Sequence, residues 1–217
     1  MTLTLSQLLA WPWISSSGTL RPEDLLVSFW QTLEEVCRIR EKDLIPPSLL
    51  ASLEKLVGED SSEKDWQEEE ASETLDCLFD LLSEAAPSGF SFCSHPGDGS
   101  LFGFWLSEDW LSALEDCDFL EEEPASCAFF IQSAEEAGLS ADSLLEGFKG
   151  ESFGLSEEEA GAFYAKEYVE EADLLPKTFW LRSCLDWLKV WEKLKEEHSF
   201  YASPSFKRGT FFIFQAF

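Results

Sequence analysis

Few residues in this sequence have the types and spacing that catalysis or metal binding requires. The two histidines, His95 and His198, lie in neither an H-x-x-x-H nor an H-E-x-x-H pattern. Cys93 lies two residues before His95, but a zinc site or a Cys–His dyad needs further ligands or an orienting group. Residues 97–99 lack the spacing of a phosphate-binding loop and have no nearby lysine. We therefore predict a turn histidine beside a buried thiol, a plain hairpin turn, and no metal or other cofactor.

Carboxylates are the abundant chemical group. The chain has 43 Asp and Glu against 15 Lys and Arg, a formal net charge of −28. With so many acids, almost any two could be proposed as the acid–base pair of a glycosidase, so that signal has no value. The nine tryptophans are predicted to be core residues rather than a stacking platform for bases or sugars. Nucleic acid and anionic membranes would be repelled, whereas a basic protein surface is the natural complement.

The negative charge is concentrated in one segment, residues 108–173. It holds 20 acids but only two bases, interspersed with aromatic and aliphatic residues. Residues 1–107 carry a net charge of −13 and residues 174–217 a net charge of +3. A disordered acidic tail lacks the apolar residues needed to bury a core. The segment is therefore predicted to be folded protein with a dense negative surface.

The apolar spacing and turn residues predict an α+β protein of two domains. Residues 1–86 are predicted to form a small helical domain. Residues 87–217 are predicted to form an elongated acidic domain of helices and short antiparallel strands. Residues 59–73 are either a solvated loop or the exposed start of the next helix. Helices are predicted from Pro22, over 48–57 and 75–82, from Ser107, and over 140–148, 156–172 and 177–197. Strands are predicted at 90–93, 101–106, 200–202 and 210–217. Residues 127–131 fit either a buried strand or a short helix, and we favour the strand.

The compartment is predicted from cysteines and hydropathy. Six cysteines are widely scattered without a C-x-x-C pair, which favours reduced, mostly buried thiols in a cytoplasmic protein over a disulfide framework. No run of 18 apolar residues could span a membrane. The first basic residue is Arg21, so a signal peptide is not expected.

Two interpretations of the acidity remain open. One is a solvated surface with no special role. The other is imitation of nucleic acid, because side chains at i and i+3 or i+4 on a helix lie about 5–6 Å apart, comparable with phosphates along a strand.

Several motifs resemble the ArdA family of antirestriction proteins. They are LEGFKGESFGLSEEEAGAFY at 145–164, Leu-Pro at 175–176, LDWLKVWEKL at 185–194 and GTFFIF at 209–214. Phe-Trp-Leu at 104–106 is similar to the family's opening strand. The resemblance covers roughly residues 100–217, and residues 1–86 have no counterpart. It implies a DNA mimic, in a family of usually dimeric proteins, that occupies the DNA site of type I restriction–modification enzymes.

The predicted function is inhibition, without chemistry of its own, of a DNA-binding defence enzyme in the bacterial cytoplasm, with the basic groove of that enzyme as partner. A CRISPR effector or other phage-defence complex as target, and a non-mimic scaffold protein, are the alternatives. An enzyme would need a concave pocket with perturbed carboxylates. The acids predicted to imitate phosphates are Glu108, Asp109, Glu115, Asp116, Asp118, Glu121, Glu122, Glu123, Glu157, Glu158, Glu159, Glu167, Glu170, Glu171 and Asp173.

Overall fold

The computed structural model describes residues 2–42, 44–57, 68–119, 123–172 and 185–216. Over these residues the chain forms nine helices and two three-stranded antiparallel sheets, which confirms the predicted α+β class. In chain order the elements are α1 (Leu5–Leu9), β1 (Ile14–Ser16), α2 (Pro22–Arg40), α3 (Pro47–Val57), α4 (Glu68–Glu84), β2 (Phe90–His95), β3 (Asp98–Leu106), α5 (Glu108–Asp116), α6 (Pro124–Glu136), α7 (Ala141–Gly147), β4 (Phe148–Phe153), α8 (Glu157–Glu171), α9 (Trp187–His198), β5 (Phe200–Pro204) and β6 (Thr210–Gln215). The chain divides into two compact units, Met1–Ser107 and Glu108–Phe217.

Helix α2 is the longest helix of the first unit among the described residues, and its sequence explains both of its ends. Proline occupies its first turn, where the missing N–H would have no partner, and acids follow at Glu23 and Asp24. Arg38 and Arg40 lie in the last turn, next to the partial negative charge of the helix end. Glu41 then adopts a left-handed conformation that ends the helix. The predicted start at Pro22 is confirmed.

The sheet of the first unit has the strand order β1-β3-β2. Gly103 in β3 pairs with Ile14 in β1, and a Cβ at this position would lie 2.3 Å from the Trp13 carbonyl oxygen. Only glycine therefore allows β1 to approach so closely. The rings of Phe29 and Phe92 meet edge to face at 5.0 Å between centroids, which packs α2 on the sheet.

This sheet corrects the prediction of a purely helical domain over residues 1–86. The predicted hairpin of β2 and β3 belongs to the first unit, because β3 also pairs with β1 near the start of the chain. The division falls after Ser107 rather than after residue 86. Of the stretch predicted as a loop or helix start, residues 68–73 are helical, whereas residues 59–67 lie outside the described part.

The second unit is built on a sheet of order β4-β6-β5. Phenylalanine rings fill its core: Phe119 stacks on Phe130 at 3.9 Å between ring centroids, and Phe130 meets Phe212 edge to face at 5.0 Å. A second cluster joins α8, α9 and the sheet through Ala165, Trp191, Leu194, Phe200, Ala202 and Ile213. Aromatic pairs of this kind add about 0.5–1.5 kcal/mol each beyond the area they bury.

The predicted strand at residues 127–131 is wrong. These residues lie inside α6, which begins at Pro124 in the position that favours proline. Most of this helix is buried, including the polar residues Ser126, Gln132 and Ser133. A helix buried on most sides lacks a polar stripe, so its sequence cannot be distinguished from a buried strand by periodicity.

The last predicted helix begins later than expected. Residues 185 and 186 are not helical, and α9 begins at Trp187 with Asp186 as its N-cap. Residues 177–184 lie outside the described part. Trp191 and Leu194 are buried, whereas Leu188 is exposed.

The thiols are less buried than predicted. Cys127 is buried, Cys37, Cys93 and Cys117 are half-buried, and Cys77 is exposed.

Candidate partner-binding surface

The first group of predicted acids lies on α5 and the turn that follows it. Trp110, Ala113 and Leu114 form the buried face of α5, so its four predicted acids, Glu108, Asp109, Glu115 and Asp116, project outward and are exposed. Asp118 has φ +54°, and the next N–H donates to the Leu114 carbonyl at 2.9 Å. Its short polar side chain tolerates this left-handed conformation, which ends α5 and directs the chain into the core.

The second group lies on α8. Its N-cap is Ser156, whose hydroxyl accepts from the N–H of Glu159 at 3.3 Å. The Glu159 carboxylate reaches one residue further than in a regular capping box and accepts from the N–H of Leu155 at 3.0 Å. Ala160, Gly161, Ala165 and Val169 are buried, and small side chains on this face allow α8 to lie close to its neighbours. The acids of the other face are exposed, except Glu157, which is half-buried.

Three uncharged contacts hold α8 in place. The Ser152 hydroxyl of β4 is fully buried and donates to the Ala160 carbonyl at 2.8 Å. A Cβ at Gly154 would lie 2.4 Å from the Ala160 nitrogen. A Cβ at Gly161 would lie 2.1 Å from the Trp191 ring. The backbone of α8 is therefore positioned by close contacts that need no charge.

Most of the acids are not neutralised by neighbouring cations. Glu157 is half-buried, and its carboxylate lies 3.9 Å from the Lys195 ammonium. Within the described residues, the other eleven predicted acids are exposed and none of them is ion-paired. Hydrogen bonds from its own N–H and from the Ser156 hydroxyl lower the pKa of Glu158, and Lys195 adds to this effect. At neutral pH the surface thus keeps its negative charge exposed to solvent.

The structure describes twelve of the fifteen predicted acids; Glu121, Glu122 and Asp173 lie outside the described part. Glu123 is exposed at the N-cap of α6. Among the described residues of the acidic segment 108–173, sequence reasoning did not single out four further exposed acids, Glu135, Glu136, Asp142 and Glu146. Glu136 and Glu157 both raise the pKa of the Tyr201 phenol, after a larger effect of burial. An acid of α6 and an acid of α8 therefore both lie near the Tyr201 side chain. The high density of acids along the chain is the sequence signal that could have identified the four missed acids.

The residues considered for other chemistry have local roles. His95 accepts from the N–H of Gly97 at 3.0 Å through Nδ1, and its ring lies edge to face on Trp105. Asp98 accepts from the N–H and the hydroxyl of Ser100, which stabilises the turn between β2 and β3. Burial raises the pKa of the Cys93 thiol, which favours the unreactive form. Among the described residues, no group of three His, Cys, Asp or Glu side chains could hold a metal ion.

A cavity of about 340 Å³ opens between α3 and α4 in the first unit. Its lining includes three carboxylates, Glu70, Glu73 and Asp80, with the Cys77 thiol and several hydroxyls. A nucleophilic cysteine needs an adjacent base such as imidazole, and no histidine is among the described lining residues. Among its described lining residues, the cavity therefore offers no Cys–His pair for nucleophilic catalysis.

No family model matches this chain, and no curated protein or solved structure matches it. Among the described helices, none is both long enough and apolar enough to cross a bilayer.

Proposed function

We propose that this protein is a DNA mimic of the ArdA type that inhibits a DNA-binding enzyme of host defence, first of all a type I restriction–modification enzyme. The observation that supports it best is the set of exposed acids on α5, on α8 and at the start of α6 that form no ion pair with any described residue. An acid that is already paired with a lysine or arginine of its own chain attracts a partner's cation less strongly. Acids in water remain available to the lysines and arginines of a DNA-binding groove.

The arrangement of α8 suits imitation of a phosphate backbone. Glu167 and Glu171 are four residues, or about one helical turn, apart, and Glu159 and Glu167 are eight residues, or about two turns, apart. Neighbours at i and i+4 lie about 5–6 Å apart. The close contacts under α8 keep these positions fixed before a partner arrives. A surface that is ordered in advance loses less conformational entropy on binding than a flexible acidic tail.

The partner in this proposal is the basic DNA-binding groove of the enzyme. The protein would act stoichiometrically in the bacterial cytoplasm, as a homodimer if it follows the family it resembles, without itself binding nucleic acid or membranes. The second candidate target is another defence complex, such as a CRISPR effector. The first unit favours keeping that candidate, because its helices and sheet form a separate compact body that could carry a different specificity.

Competition tests the proposal directly. Purified protein is added to a type I restriction–modification enzyme with labelled duplex DNA, and DNA release and cleavage are followed across salt concentrations. We expect displacement near one inhibitor per DNA site and a steep loss of affinity as salt rises. If the affinity measured by displacement does not change with salt concentration, the interface is apolar, and this result would contradict mimicry. No displacement by the folded protein would exclude type I enzymes and direct the same assay to other defence complexes.

Charge-matched variants separate mimicry from net charge. The test variant carries Glu167→Gln, Glu170→Gln and Glu171→Gln on α8. The control carries Glu192→Gln, Glu196→Gln and Glu197→Gln on α9, which changes the net charge equally; the latter two acids contact Lys193 at 3.3 Å. We expect the α8 variant alone to lose inhibition strongly, while a single alanine at any predicted acid costs at most about 1 kcal/mol. Equal losses in both variants, or complete loss from one alanine, would contradict a distributed phosphate mimic.

A further inference from the structure

Three exposed apolar side chains lie at the end of β4, in the short connection that follows it and on α8. Phe153 is 63% exposed, Leu155 92% and Phe163 43%. The rings of Phe153 and Phe163 are 6.5 Å apart at their centroids and meet edge to face. Single exposed apolar residues are common on proteins, but adjacent ones mark interaction sites. These three residues are called the apolar cluster.

The exposure of Leu155 has a local cause. It immediately precedes the N-cap Ser156, the position from which a hydrophobic residue usually packs on the fourth residue of the helix. Here that residue is Ala160, which is already fully buried and in close contact with the backbone position of Gly154. Leu155 therefore has no internal surface to cover, and a smaller or polar residue would serve the fold equally well.

Acids and one lysine surround the apolar cluster. The N–H of Leu155 donates to the carboxylate of Glu159 at 3.0 Å, which places that acid beside the cluster. Phe163 follows Glu159 by four residues and precedes Glu167 by four, so one aromatic ring lies between two exposed acids on the same face of α8. Lys166 is exposed on a neighbouring line of the helix. The local charge is still negative.

We propose that the apolar cluster docks a positively charged amphipathic helix of the partner protein. Its apolar face would cover Phe153, Leu155 and Phe163, and lysines or arginines one turn on either side of that face would pair with Glu159 and Glu167. The alternation of acid, aromatic ring and acid at helical spacing is complementary to base, apolar residue and base on a facing helix. The inference rests on the proposed function, because it names the element of the partner that contacts this part of the acidic surface.

The two kinds of contact contribute differently to binding. Exposed acids attract a basic segment over distance and lose this effect as salt rises. An aromatic side chain that becomes desolvated at the centre of the contact lowers the dissociation rate and is insensitive to salt. Imitation of phosphates alone needs no exposed apolar residue, so the apolar cluster predicts a salt-resistant part of the affinity.

A model peptide tests the docking without knowledge of the target. The probe is a helical peptide of leucine and lysine, about 18 residues or five turns long, with its leucines on one face. The control peptide has the same composition with leucines distributed around the helix. Each is titrated into the full chain, with affinity measured by fluorescence anisotropy at low and high salt and the contact mapped by amide chemical shifts. The variant is Leu155→Ser with Phe163→Ser; its control, Leu145→Ser, removes a leucine that is 60% exposed on α7.

We expect the amphipathic peptide to shift the amides of residues 153–163 and to bind more tightly than the control peptide at high salt. The double serine variant should weaken it by about tenfold, the size typical of an aromatic anchor, while Leu145→Ser leaves it unchanged. Equal binding of both peptides, equal effects of the two variants, or shifts that report only self-association of the protein would overturn the inference. If the peptide docks as expected but DNA competition fails, the defence-enzyme target is wrong and the docking site stands; the reverse result rejects the docking site alone.

Discussion

Helix α8 has acids at both ends, and only one end is stabilised by them. Glu157, Glu158 and Glu159 lie in the first turn, where the partial positive charge of the helix end favours them. The last turn contains Glu170 and Glu171 and no basic residue, so these acids face the partial negative charge of the other end. We therefore predict that Glu171→Gln stabilises the fold while Glu158→Gln destabilises it, although both remove one negative charge.

The magnitude for Glu171 follows from its surroundings. An unfavourable charge in the last turn costs about 0.3–1 kcal/mol at low ionic strength. Glu167, four residues earlier on the same face, adds repulsion of about 0.2–0.5 kcal/mol. Glu171→Gln should thus raise the free energy of unfolding by about 0.5–1.5 kcal/mol. Glu158→Gln should change it with the opposite sign, because it loses a favourable dipole interaction and weakens the hydrogen bonds that lower the pKa of Glu158.

Urea denaturation of the three proteins measures both effects. The Debye length is about 30 Å at about 0.01 M salt and about 3 Å at about 1 M, so the difference between the variants should be largest at low salt and shrink at high salt. Stabilisation by both substitutions would mean that repulsion across the whole chain outweighs the helix dipole. Destabilisation by Glu171→Gln would contradict the reasoning outright.

Two other predictions concern the support of α8. Gly161→Ala should destabilise the protein by about 1–2 kcal/mol in urea denaturation, because the clash with Trp191 outweighs the gain in helix propensity; in a Trp191→Leu background the same change should become neutral or favourable. Burial, aided by Tyr168 and Glu171, raises the pKa of Tyr164 to about 12 from 10.0. The folded chain therefore holds this proton longer than the unfolded chain, and stability falls as pH rises from 10 to about 12. Tyr164→Phe should reduce that fall in denaturation experiments over this range.

Elements with explicit end signals could be predicted from sequence. Pro22 with its two following acids located the start of α2, and Ser156 before three glutamates located the start of α8. These signals act within one turn of helix and do not depend on distant parts of the chain. Local chemistry of this kind remains visible in a single sequence.

Elements that depend on contacts with distant parts of the chain could not be predicted from the sequence. Strand β1 has only three residues and exists because it pairs with β3 almost ninety positions later; its own residues, Ile14, Ser15 and Ser16, contain no strand pattern. Helix α6 was read as a strand because burial on most sides removed the polar stripe that identifies a helix. In both cases tertiary contacts decided the outcome.

The candidate surface was predicted better than its support. Charged side chains are rarely buried without partners, so a dense run of acids predicts exposed acids, and the described ones are exposed with the partial exception of Glu157. The role of Gly161 could not be predicted, since a glycine inside a helix usually signals only lower stability. Glycine is required at position 161 because a Cβ there would clash with the ring of Trp191, thirty residues away in the sequence.

The separation between charged surface and uncharged support has a functional consequence. The contacts that position α8 are a buried hydroxyl bond and close packing against Ala160 and Trp191, and neither weakens when salt screens the surface. Removing the last-turn acids, Glu170 and Glu171, or adding salt should therefore alter the proposed partner binding without moving the helix. If the acids instead held the fold together, every loss of inhibition in an acid variant would be confounded with unfolding. Because the last-turn acids of α8 oppose the helix dipole, the stability of the helix that bears them does not explain their presence, whereas the proposed function does.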